Sequence, residues 1–193
     1  MAFTNFCCRS GGSNLNSGTR TGNTTVPGTG ADFTYTSGTW VNATNTFTRL
    51  DAGSFITDGI AVNDFASIYP DAASVTPCIA RITTVGATTL VLSATARSGT
   101  APIDGVADTS VKVGGAWKGP NAAEGFPFNF IAAACTNAAG NPVRVNFMND
   151  ASYSITAAMT HTLIGPTFFQ GFTSAYGDLG RATIDGGTAG ASY

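Results

Sequence analysis

Charge is what this chain has least of. Only 10% of its 193 residues are Asp, Glu, Lys or Arg, against about 25% in an average soluble protein. The nine basic residues stand singly and the formal net charge is −2, which leaves no electrostatic footprint for a nucleic acid or an anionic membrane. Long apolar runs are also missing. The longest, "TTLVLSA" and "FNFIAAAC", fall well short of the ~20 residues that span a bilayer as a helix, so a soluble chain without membrane insertion is expected. The start, "MAFTNFCCRSGG", has neither the charged n-region nor the apolar h-region of a secretory signal. Any extracellular life is expected to begin with lysis, on a particle, or after processing.

Cysteine is sparse. Cys7, Cys8, Cys78 and Cys135 do not make a disulfide-dense framework in a chain of this length, and no CxxC pair points to zinc. Adjacent Cys7 and Cys8 on a strand would face opposite ways, so buried free thiols are expected.

Groups that carry catalysis are scarcer still. The lone glutamate is Glu124 and the lone histidine His161. A glycosidase needs two carboxylates flanking a sugar linkage, whereas Glu124 reads as a charge complementing a helix start. Asp178 and Asp185 with Arg181 come nearest to a site, but aspartates in turns commonly bond their own backbone. His161 has no serine or cysteine motif beside it, and Cys7 and Cys8 have no paired histidine. Neither GxGxxG nor a P-loop occurs. No catalytic, cofactor-binding or metal-binding residue is assigned, no cofactor is expected, and the chain does not read as an enzyme.

What the chain does have is β structure. From about residue 20 to Trp117, short alternating stretches recur at intervals near ten residues with turn signals between them, the spacing of a small barrel or sandwich. "CIARITTVG" and "TTLVLSATA", joined through "GA", read as a hairpin. Trp40, Phe47, Phe65, Ile79, Ile82, Leu90 and Leu92 are the expected core. One helix is expected over 127–139: Pro127 suits its first turn, Gly140 and Pro142 stop it, and Phe128, Ile131 and Cys135 share a stripe. After it, "VRVNF", "SYSITAAMTHTLI", "PTFFQGF" and "RATIDGG" read as strands without Asn-Gly hairpin signals, like successive sides of a coil.

Three stretches in order, "CCRSGGSNLNSGT" (7–19), "FPFNFIAAAC" (126–135) and "ATIDGG" (182–187), resemble the opening of pectate-lyase-like, right-handed parallel β-helix proteins. Ser13 stands where that family's turn has an acidic residue. The joint "VGGAWKGPNAAEGFPFNF" is similar to stretches of phage structural proteins. The resemblance covers about 1–19 and 118–193. It implies a mainly β chain in three parts: a strand and turn of the β-helix cap (1–19), an inserted small antiparallel β-barrel or sandwich (20–117), and a capping helix with the first β-helix rungs (118–193).

The function so implied is a structural component of a bacteriophage virion, a tail or capsid appendage such as a tail fibre or tailspike. The alternative is the non-catalytic front of a β-helical polysaccharide depolymerase. A coil of about two rungs ending at "GRATIDGG" would expose a strand edge that needs a cover, from more of the same protein or from neighbouring subunits. The expected partners are therefore further copies, a homotrimer first, with other virion proteins and possible host surface glycan. Phe168, Phe169, Phe172 and Ile184 are the candidate subunit contacts.

Overall fold

A computed structural model describes residues 3–13, 16–19, 26–69, 78–94, 109–118, 142–154, 166–176, 178 and 180–185. All regular structure among them is strand: β1 (Thr4–Arg9), β2 (Phe33–Tyr35), β3 (Gly38–Val41), β4 (Thr46–Arg49), β5 (Phe65–Tyr69), β6 (Cys78–Val85), β7 (Thr89–Leu92), β8 (Ser110–Val113), β9 (Trp117–Lys118), β10 (Val143–Met148), β11 (Ser152–Ser154), β12 (Thr167–Phe172) and β13 (Thr183–Asp185). The helix expected over 127–139, with Glu124, Cys135 and His161, lies outside the described residues.

Strands β2 to β8 form one antiparallel sheet in the order β2-β8-β5-β6-β7-β4-β3. The expected hairpin is β6–β7, which pairs Val85 with Leu90 and closes with the Gly86 N–H donating to the Thr89 carbonyl at 2.8 Å. A register shift between Ile82 and Thr84 bends β6. Tyr35, Trp40, Phe47, Ile68, Ile82, Leu90, Leu92, Val111 and Val113, drawn from all seven strands, bury into one cluster, so the sheet curls around its own core. Edge strand β3 comes near the chain entering β8, next to the opposite edge, where the Thr109 N–H donates to the Gly38 carbonyl at 3.2 Å.

The remaining strands pair in parallel. One sheet has the order β12-β10-β1-β9, and a second joins β11 to β13. Their register aligns side chains in columns: Thr4, Val143 and Thr167; Phe6, Val145 and Phe169; Cys8, Phe147 and Gly171. Phe6, Cys8, Trp117, Val143, Val145, Phe147 and Tyr153 make the core on that face. All seven expected core residues of the antiparallel part are buried, but two face elsewhere. Phe65 and Ile79 turn away from their own sheet's cluster and pack with Phe6, Trp117 and Val145. The reason is alternation along β5 and β6: Ala66 and Ile68, and Ala80 and Ile82, face inward, which leaves Phe65 and Ile79 on the opposite face.

The two cysteines split as expected. Cys8 lies in the core with Phe6, Cys7 in a separate cluster with Ala116 and Phe172. Cys7 and Cys8 are buried free thiols, and Cys78 is buried as well.

Candidate interaction surface

The parallel sheet is anchored at one side by a glycine-rich turn laid against the chain entering β9. Ser13 and Ser17 donate their N–H groups to the Ala116 and Gly114 carbonyls at 3.1 and 3.2 Å, and the Gly18 N–H donates to Gly115 at 3.0 Å. The Asn16 amide donates to the Thr29 and Ala116 carbonyls, both at 2.8 Å, while the Trp117 indole N–H donates to the Asn16 carbonyl at 3.1 Å. Gly18 and Gly115 hold φ of +80° and +79°, the left-handed region that side chains resist. A Cβ on Gly18 would also run into the Trp117 indole. Gly18 and Gly115 are thus required by close approach as well as by turning.

The other side ends at β12. Phe168 and Phe169 point to opposite faces of that strand and are 51% and 48% exposed. Phe168 stands edge-on to Phe3, ring centroids 5.4 Å apart, and the Arg144 guanidinium lies 3.9 Å over the Phe3 ring. Phe169 continues the Phe6–Val145 column and stacks against Phe147 at 6.4 Å. Of the four candidate contacts, then, Phe168 and Phe169 are on the surface. Phe172 is not: it is 0% exposed, packed with Cys7 and Ala116 inside this chain, because it falls where the following turn folds back over β12. Ile184 pairs through its backbone with Tyr153 in the second parallel sheet.

Two of the aspartates, Asp178 and Asp150, have structural work. The Asp178 carboxylate accepts the N–H groups of Ser174 at 2.7 Å and of Thr173, Ala175 and Gly180 at 3.0 Å. These bonds, those from Ala175, Ser174 and Thr173 foremost, hold it well below the usual carboxylate range. Asp150 accepts the Tyr153 hydroxyl at 2.8 Å and the Ser10 N–H at 3.2 Å, and faces Arg9 at 3.8 Å. Burial first, and then the neighbouring Asp150 carboxylate, disfavour the Tyr153 phenolate and raise its hydroxyl well above an ordinary phenol. Asp185 lies on β13, paired with Ser154, and Arg181 is exposed. Among the described residues no three His, Cys, Asp or Glu side chains gather as a metal site, and no helix is long and apolar enough to cross a membrane.

One cluster escaped the sequence reading. Arg49, 7% exposed, packs against both rings of the edge-to-face pair Tyr35 and Phe55, its guanidinium 4.6 and 4.9 Å from their centroids. It donates to Asp51, and to Asp58 at 2.9 Å, while the Tyr35 hydroxyl also donates to Asp58 at 2.9 Å. A buried cation paired twice and packed beside two aromatic rings is a clamp for the chain following β4. The only hint in sequence is Arg49 at an inward position of "TFTR", which reads as an error unless its partners are known. No known protein family, curated protein or solved structure matches the chain.

Proposed function

We propose that this chain is a structural component of a bacteriophage particle, a tail or capsid appendage. In this reading residues 1–19 and 118–193 form the capped start of a right-handed parallel β-helix, and residues 20–117 form an inserted antiparallel β-barrel. The observation that carries it is the column Phe6, Val145, Phe169: like residues stack through successive parallel strands, and the last is half exposed at the sheet's outermost strand. β10 and β12 begin at Val143 and Thr167, a separation within the ~20–45 residues of one solenoid repeat. Two parallel sheets advancing together, β10 with β12 and β11 with β13, suit successive sides of a coil. In this reading the curled antiparallel sheet packs against the first rung through Phe65 and Ile79.

The role is assembly: Phe168 and Phe169 meet neighbouring subunits, a homotrimer first, and other virion proteins build on the coil. Light scattering tests this. The purified chain should give three times its 19.6 kDa mass, and Phe168→Ser with Phe169→Ser should reduce it to monomer without loss of secondary structure. A stable monomer before substitution would overturn the assembly reading. Release of reducing ends or unsaturated products from host capsule would replace it with the depolymerase alternative.

A further inference from the structure

Arg144 has half of an arrangement that the chain completes elsewhere. In the completed one, the Arg49 guanidinium packs beside the Tyr35 and Phe55 rings and is neutralised by Asp51 and Asp58. Arg144 has the aromatic part: its guanidinium lies 3.9 Å over the Phe3 ring, and Phe168 stands edge-on to that ring. The carboxylates are missing. Among the described residues no acid pairs with Arg144, whereas Arg9 on the adjacent strand β1 is matched by Asp150.

The strands fix this group in place. Asn5, Arg144 and Phe168 stand in one register row across β1, β10 and β12, and alternation sends all three to the face opposite the Phe6–Val145 core. Phe3, two residues before Asn5, falls on that same face. Arg144 and Phe3 are half-buried and Phe168 is exposed. A guanidinium held over a ring has already given up part of its hydration and rotamer freedom, so a carboxylate meets a prepared fork of donors. The complementary charge is plentiful in this chain, which carries eleven acidic residues against nine basic ones. The same face also shows Phe168, proposed above as a subunit contact.

We propose that Arg144, on its Phe3 support, receives an Asp or Glu carboxylate of a second copy of this chain. The site rests on the assembly reading and gives that contact its orienting part. Phe168 alone would let two subunits slide, while N–H donors in a planar fork facing two carboxylate oxygens fix angle as well as distance.

Arg144→Lys tests this by chemistry. It keeps the charge and adds a primary amine, which a zero-length carbodiimide couples to a touching carboxylate; a guanidinium does not couple. The chain's own lysines are only Lys112 and Lys118, so a new link is readily assigned. Coupling of the full-length variant should give a covalent dimer on a denaturing gel, with position 144 joined to an Asp or Glu in its linked peptides. Arg144→Gln, with unchanged circular dichroism, should raise the concentration at which light scattering shows half-assembly by about tenfold. Coupling confined to one chain, or no coupling at position 144 in chains that light scattering shows to be assembled, overturns the carboxylate site and leaves the assembly reading standing. Assembly of Arg144→Gln at wild-type concentrations does the same. A monomeric wild type overturns both.

Discussion

Trp117 lies flat on Phe6, ring centroids 4.7 Å apart and planes 14° from parallel. Phe6 precedes the antiparallel sheet in the chain and Trp117 follows it, so this stack helps to close the long excursion between β1 and β9, beside their backbone pairing. Phe65 from that sheet stands edge-on to Phe6 at 4.9 Å, which ties the excursion to its own base. Trp117→Ala should therefore cost about 3–5 kcal/mol, the range for emptying a buried aromatic site. Urea unfolding followed by circular dichroism should show a lower midpoint with little change in slope; an unchanged midpoint would mean that the stack carries no stability.

Gly18→Ala should be costly in a way that Gly28→Ala is not. Gly18 has φ of +80° with the Trp117 indole against it, while nothing lies within 4 Å of a Cβ on Gly28. The backbone alone accounts for about 1–3 kcal/mol at Gly18, and the exposed glycine should stay within about 0.5 kcal/mol of wild type. Equal melting temperatures for the two variants would contradict the contact between the turn and Trp117.

Leu92 and Leu50 offer the same comparison for the curled sheet. Leu92 is buried in its core and Leu50 is exposed, so Leu92→Ala should lose about 2–5 kcal/mol and Leu50→Ala less than about 0.5 kcal/mol. Wild-type thermal stability in the Leu92 variant would remove that strand from the core.

The Asp178 clasp should weaken in acid. Its folded carboxyl is held below the ordinary value by the backbone N–H groups it accepts, so its stabilisation is fully present above the ordinary carboxylate pKa of about 4. It is lost as pH falls from there through the depressed folded value. Amide exchange at Ser174 and Ala175, corrected for intrinsic rates, should lose protection over that acid window in the wild type. In Asp178→Asn protection should be low at neutral pH already and nearly independent of pH. Identical profiles would show that another group holds the turn.

Much of this was legible in the chain wherever the cause is local. The β6–β7 hairpin follows from alternating apolar residues around Gly86, and the burial of Leu90 and Leu92 from the same alternation. The separation of Cys7 from Cys8 needs only the two-residue period of a strand. Asp178 bonding its own turn is likewise a matter of a few neighbouring residues.

Where the cause is distant, local pattern is silent. Alternation puts Phe65 and Ile79 on one face of a sheet, but only the folded chain brings Phe6, Trp117 and Val145 to that face. It likewise cannot tell Phe172, buried against Cys7, from Phe168 and Phe169 on the same strand, because what covers a side chain is set by the path of the turn that follows. Arg49 reads as a misplaced charge until Tyr35, Phe55, Asp51 and Asp58 surround it. Period and turn chemistry act over a few residues and are written in the chain itself. Burial and pairing depend on which segments meet, and that is settled only when the whole chain has folded.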